Sequence, residues 1–264
     1  MAGNTTGDRG DRTDGDAARE VRVADGWFPV ETLGPGRRLV LWFQGCGLAC
    51  AGCMSRHTWD AEGGRTTTVG ALLRLWEAAL ERGAEGLTVS GGEPLAQPEA
   101  LGALLRGAGV VRRRARGAQG AREAGLVGGD GGLGGFGGLG GGFGGADLLV
   151  YTGYEAHEVP SSVWAALSGA DAVVTGRFRV GEPTDLVWRG SANQRIVPRT
   201  RLGVRRYGPH LRRVYPEGAR VSVRGPLRGG GVRWYGVPAR GEMRGMEIGA
   251  AAVGVRLGGL SWRG

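Results

Sequence analysis

Residues 38–54 read RLVLWFQGCGLACAGCM, an apolar run that leads straight into a cysteine cluster. Leu39, Val40, Leu41, Trp42 and Phe43 are continuous and apolar. A run this short without alternation is the pattern of a strand buried on both faces, as in a parallel sheet. Cys46, Cys50 and Cys53 follow within eight residues and are the only cysteines of the chain. An odd number in one tight group is no disulfide framework and reads as metal binding or redox chemistry. Gly45, Gly47 and Gly52 suit a loop that wraps closely around a metal group.

Outward from this stretch, strands and helices alternate. Thr68–Arg82 reads as a helix, with Leu72, Leu75, Trp76 and Leu80 on one face and Gly83 as its stop. Gly86–Ser90 is a second strand, ending in Gly91-Gly92-Glu93-Pro94. Pro98–Arg106 is a helix with Pro in its first turn and Gly107 after it. Residues 107–127 are mostly Arg, Ala and Gly, and 128–145 hold 13 glycines in 18. Such composition does not offset the backbone entropy of ordering, so 107–145 is expected to be a flexible insertion. The GxGxxG match at 129–134 carries no weight, because it precedes a strand instead of opening a helix. Asp147–Tyr151 (strand), Ser161–Leu167 (helix) and Asp171–Thr175 (strand) complete an alternation that argues a parallel α/β sheet.

Three parts are expected: a charged, disordered stretch 1–20, a core 21–198 carrying the insertion, and a basic appendage 199–264. Alternations such as Val221/Val223 and Val232/Trp234 make the appendage β-rich in expectation.

The chain has 264 residues, 41% of them hydrophobic, which supports a packed core and excludes wholesale disorder. No apolar run approaches the roughly 18 residues of a membrane helix, and the polar N-terminus has no signal-peptide h-region, so a cytoplasmic protein without a membrane partner is expected. All 34 basic residues are Arg, and glycine reaches 56, as codon bias in a GC-rich genome would produce. The net charge of +9 is uneven: residues 199–264 hold 14 Arg against 3 Glu, and the remainder is close to neutral. In that tail Arg205, Arg206, Arg212, Arg213, Arg220 and Arg224 interleave with Tyr207, Tyr215, Trp234 and Tyr235. The pattern can bind single-stranded nucleic acid or an acidic protein surface. An arginine-biased appendage is the plainer reading, and nucleic acid is not the expected partner.

The cysteine spacing is Cys46-x3-Cys50-x2-Cys53. Three thiolates can hold three irons of a [4Fe–4S] cube and leave the fourth iron for a chelating substrate. The alternative is a structural zinc with His57 as fourth ligand, in a nucleic-acid-binding module. The loop follows the first strand, at the end where parallel α/β folds place their active sites.

Several motifs in one order resemble a family: Gly34-Pro35-Gly36-Arg37, Gly45-Cys46 through Trp59, Ser90 through Leu95, Tyr151-Thr152-Gly153-Tyr154, Gly176-Arg177-Phe178 and Trp188 through Gln194. Over about residues 27–198, without the insertion, the chain resembles radical S-adenosylmethionine (SAM) enzymes, and most closely the activating proteins of anaerobic ribonucleotide reductase, which are glycyl-radical-enzyme activases. The resemblance implies an incomplete parallel (β/α) barrel with a [4Fe–4S] cluster on Cys46, Cys50 and Cys53. It implies that SAM chelates the open iron, that Gly91 and Gly92 bring backbone to its methionine part, and that Glu93 accepts a hydrogen bond from its ammonium. Gly52 and Met54 flank Cys53, where the resemblance implies that the adenine packs, and it implies that Thr152 lines the SAM cleft. Met54 stands where the family usually has an aromatic residue; a thioether can still pack on adenine. Arg177 pairs with a carboxylate or is a surface arginine; the polar side chains of Trp188–Gln194 contact ribose or partner, or cap the sheet edge. The implied chemistry is transfer of one electron into the sulfonium, giving methionine and a 5′-deoxyadenosyl radical that takes a hydrogen atom from a glycine of a partner enzyme. Flavodoxin or ferredoxin is the kind of electron donor implied. A radical SAM enzyme acting on a small molecule or peptide, such as a 7-carboxy-7-deazaguanine synthase-like protein, stays as the alternative.

Overall fold

The computed structural model describes residues 15–123, 145–215, 220–224, 233–239 and 241–258. β1 (Glu20–Val30), β2 (Arg38–Phe43), β3 (Arg65–Thr68), β4 (Gly86–Gly91), β5 (Asp147–Tyr151), β6 (Ala172–Thr175) and β7 (Arg195–Pro198) form a seven-stranded sheet in the order β3-β1-β2-β4-β5-β6-β7. β8 (Val221–Arg224) and β9 (Arg233–Gly236) make a separate antiparallel pair. The central strands β2, β4, β5 and β6 are parallel, as their buried apolar runs predict. The flanks β1, β3 and β7 are antiparallel. β3 reads RTTT and β7 has four residues, so neither carries the apolar signal of a central strand.

Because successive side chains alternate across a strand, β2 serves two cores. Leu39, Leu41 and Phe43 pack with α1 (Val69–Glu81) and α2 (Pro98–Glu123). Val40 and Trp42 face the opposite side, where Val30, Leu33 and Tyr235 meet them. Thr68 caps α1 by accepting from the Ala71 N–H at 3.2 Å. Val69, Leu72, Trp76, Ala79 and Leu80 form its buried face, whereas Leu75 is 45% exposed and lies outside it.

The structure corrects the expected start of the flexible insertion. Gly107 does not end the second helix, which runs on to Glu123. A Cβ on Gly107 would lie 2.5 Å from Leu73 Cδ1, so glycine there lets α2 approach α1 closely. One residue later, buried Ala108 accepts the Trp76 Nε1–H at its carbonyl, and Arg112 pairs with Asp171. Residues 107–123 are therefore helix, and the glycine tract beyond them lies outside the described residues.

The expected disorder of 1–20 is corrected in its last part. A single helical turn covers 15–18, and Asp16 pairs with Arg106 at 2.8 Å. The core also continues past residue 198. α3 (Ser161–Trp164) runs into a 3-10 turn, and after β7 comes α4 (Arg201–Tyr207), whose Tyr207 is fully buried. The appendage adds α5 (Glu242–Ala252) to the β8–β9 pair, so it is mixed and not only β.

Away from the cysteines, Arg38 is buried with Asp147 at 2.9 Å and donates to Thr88 and to the Leu87 and Pro35 carbonyls. Burial alone would lower the guanidinium pKa; the Asp147 charge reverses this and holds it above its ordinary value. Tyr207 donates to the same carboxylate, and Arg206 pairs with it at 2.7 Å. Among the described residues, no helix is long and apolar enough to cross a membrane.

Candidate active site

Parallel strands deliver their C-terminal ends to one edge of a sheet, so the segments after β2, β4, β5 and β6 emerge side by side. These are the cysteine loop, Gly91-Gly92-Glu93, Thr152-Gly153 and Gly176-Arg177-Phe178. They surround a cleft of about 720 Å³, lined by Cys46, Cys50, Cys53, Met54, Gly91, Gly92, Glu93 and Thr152 among others. Residues up to 106 positions apart in the chain are thereby brought together, and all but one of the expected site residues line this cleft. Gly52 does not. Its φ is +73°, and a Cβ there would lie 3.0 Å from Val180 and 3.5 Å from Phe178, itself a lining residue, so it shapes the turn between Cys50 and Cys53 beside the cleft.

The cysteine loop is tied down by backbone. Gly45 N–H donates to Thr58 O at 2.8 Å and Cys46 N–H to Trp59 O at 3.0 Å. Gln44 reaches the Asp60 carbonyl at 2.6 Å, and its own carbonyl accepts from Gln97 at 2.9 Å. All three thiols are half-buried and unbridged. Burial raises the Cys46 thiol, and burial followed by the charge of Cys53 raises Cys50.

Gly91 and Gly92 bring the second motif against this loop. Gly91 has φ +111°, and a Cβ there would lie 2.4 Å from Phe43 N. A Cβ on Gly92 would lie 2.3 Å from Gly45 O. No side chain fits at either place, and Glu93 N–H then donates to Gly45 O at 2.8 Å.

Glu93 is 2% exposed. Its Oε1 accepts from Leu95 N–H at 2.9 Å and the Thr152 hydroxyl at 2.8 Å; Oε2 accepts from Gly153 N–H at 2.7 Å. A carboxylate has about four acceptor positions, so one on Oε2 is left over. Burial raises this carboxyl pKa, and the three donors pull it back. Among the described residues no cationic side chain forms an ion pair with it.

Thr152 thus orients Glu93. Arg177 pairs with Glu158 at 3.2 Å and lies over the Tyr154 ring. The polar side chains before β7 turn inward: Gln194 donates to Gly176 O, Asn193 to Arg177 O, and the Ser191 hydroxyl accepts from Arg179 N–H. They latch the loop after β6, which makes this segment a cap. His57 lines the cleft, and burial lowers its imidazole pKa. Sequence reading missed Asp25 and the C-terminal residues Arg233–Pro238 and Val255–Gly258, which line the same cleft. The alternation around Trp234 signals a strand but not what that strand covers.

A half-buried trio of thiols, close-packed glycine backbone and a buried carboxylate meet at the strand ends, the residue types that an iron–sulfur α/β enzyme uses. The family model for a 4Fe-4S single cluster domain matches residues 32–115, which supports the cluster and not the zinc reading of the cysteines. An anaerobic ribonucleoside-triphosphate reductase-activating protein of Enterobacteria phage T4 is 28% identical over 174 residues, 66% of this chain and 92% of that protein. Its counterpart in Vibrio cholerae is 29% identical over 177 residues, covering 64% and 94%. A pyruvate formate-lyase-activating enzyme of Clostridium pasteurianum is 43% identical over 76 residues, 28% of this chain and 32% of that enzyme. Among solved structures, QueE from Escherichia coli aligns at a TM-score of 0.33 and 14% identity, over 51% of this chain and 52% of that one. The chain is thus similar to the radical SAM activases of glycyl-radical enzymes, and the cluster-domain match together with these relatives supports a [4Fe–4S] cluster and SAM as its cofactors.

Proposed function

We propose that this chain places a radical on a backbone glycine of an anaerobic ribonucleotide reductase. The observation that carries the choice of partner is coverage: the reductase-activating relatives match over 92% and 94% of their own lengths, the pyruvate formate-lyase activase over 32%. The seven-stranded sheet, its edges β3 and β7 unjoined, is read as an incomplete barrel whose open side admits the partner.

When bound, the cluster and SAM supply a 5′-deoxyadenosyl radical that abstracts the glycine hydrogen. The protein's part is to hold and orient. Cys46, Cys50 and Cys53 would ligate three irons as thiolates; the raised pKa values of Cys46 and Cys50 mean that metal binding there must displace protons. Gly91 and Gly92 present backbone to the methionine part. Glu93 offers its remaining Oε2 position to the SAM ammonium, a cation that offsets a buried negative charge. Thr152 positions Glu93, and Met54 packs on adenine. The electron comes from a donor of the flavodoxin or ferredoxin kind, in the cytoplasm.

Anaerobic purification should yield about four irons with equal sulfide and a cubane EPR signal that changes when SAM is added. Replacing any one of the three cysteines by Ala should abolish both cluster retention and deoxyadenosine formation. Mixing the reduced protein and SAM with the reductase should then give a glycyl-radical EPR signal. A single tetrahedral metal ion would refute the cluster assignment. Deoxyadenosine formation without a radical on the reductase would refute the partner.

A further inference from the structure

The C-terminal segment of this chain forms one wall of the active-site cleft. Strand β9 lies on the face of the sheet away from α1 and α2. Its Tyr235 is 4% exposed, with its ring 5.0 Å from Trp42 and 6.2 Å from Trp27, both stacked. The Tyr235 carbonyl accepts from the Thr32 hydroxyl at 3.0 Å, and Arg233 pairs with Asp25 at 2.8 Å. Trp42 lies four residues before Cys46, so the stack sits where β2 runs into the cysteine loop. Arg233–Pro238 and Val255–Gly258 line the cleft together with residues of the cysteine loop and Gly91–Glu93.

We infer that β9, Val237, Pro238 and Val255–Gly258 form a wall that shields the cysteine cleft from solvent and dioxygen, with Tyr235 as the positioning residue that anchors it. The inference rests on the activase reading, in which the cleft holds an oxygen-labile cluster and a radical that water and oxygen must not reach. A two-stranded ladder is at best marginally stable alone. Its place therefore depends on what ties it to the sheet. Among the described residues, besides Tyr235 and Arg233, these ties include Val237, which packs against the same cluster as Tyr235, and Arg220, which pairs with Asp185 and donates to Thr184 O.

The test uses the full chain and two rates. In the cluster-loaded protein, kept anaerobic, iron release to excess bathophenanthroline disulfonate is followed. In the cluster-free protein, alkylation of the three cysteines by iodoacetamide is followed. Tyr235→Ala should speed both by about tenfold, since losing the stack favours local opening of the wall. Tyr235→Phe, which keeps the stack, should match the wild type. Arg233→Gln should accelerate both by a smaller factor, and it decides the matter if Tyr235→Ala loses its native circular dichroism. Equal rates in the wild type and the accelerating variants would overturn the wall, as would a Tyr235→Phe protein as fast as Tyr235→Ala. If the wild-type chain holds no iron–sulfur cluster, the activase reading fails, while the alkylation rates still report whether the wall exists.

Discussion

Glu93 shows how a single side chain links fold to chemistry. It is buried, it accepts three hydrogen bonds, and it keeps one acceptor position beside the cysteines. Glu93→Gln removes the charge and turns an amide N–H toward the Gly153 N–H. SAM affinity should fall by about tenfold or more, the range for a hydrogen bond to a charged group, while iron content stays at the wild-type level. Unchanged SAM binding in the reconstituted variant would remove Glu93 from the ammonium site. Gly92 makes the complementary case, because it matters for what it lacks. In Gly92→Ala the new methyl group meets Gly45 O at 2.3 Å, and the cysteine loop has to move. The expected cost is about 1–3 kcal/mol of stability, as for other overpacked sites, with lower iron retention. Thermal melting and iron analysis check both.

At the scale of elements, α2 deserves to be read as a strut. Its second half looks like linker in composition, yet it carries the contacts that join the two helices to the far side of the sheet. Arg112 reaches Asp171, which is 1% exposed and also accepts from Leu148 N–H at 2.9 Å and the Thr200 hydroxyl at 2.6 Å. One carboxylate thereby holds α2, β5 and the start of α4. Arg112→Ala leaves that carboxylate with two donors and no cation. Because Arg112 is partly exposed, the loss should be moderate, about 1–3 kcal/mol by chemical denaturation. A wild-type midpoint in this variant would mean that α2 ends functionally near Arg106, as its glycine suggests.

Across the whole molecule, the end of the sheet away from the cysteines is closed by the buried group of Arg38, Asp147, Arg206 and Tyr207. It joins β2, β5 and α4, and through Thr88 it also touches β4. Three of the strands that carry site loops are thus locked in register from below. Asp147→Ala would leave the fully buried Arg38 guanidinium without its carboxylate. The expected loss is about 3–5 kcal/mol, enough to lower cluster retention although no site residue is altered. Denaturation and iron content measured on the same preparation separate this from a local effect at the cysteines.

What the sequence determined by itself lay in local patterns. The continuous run of β2 and the buried runs of β4, β5 and β6 marked a parallel sheet, because burial on both faces demands apolar residues at every position. The cysteine spacing and Gly91-Gly92-Glu93 pointed to the proposed chemistry, because thiolate ligation needs cysteine and close backbone approach at Gly91 and Gly92 leaves room for no side chain. Polar flanking strands such as β3 left no such mark, and Gly107 read as a stop although it serves a close helix crossing. Tertiary structure alone decided that Thr152 serves Glu93, that Gly52 packs against Val180 and Phe178, and that Tyr235 stacks on Trp42 and brings the C-terminal segment to the cleft. These are contacts between residues as far as 193 positions apart. Their pairing depends on three-dimensional packing, which periodicity along a chain does not encode.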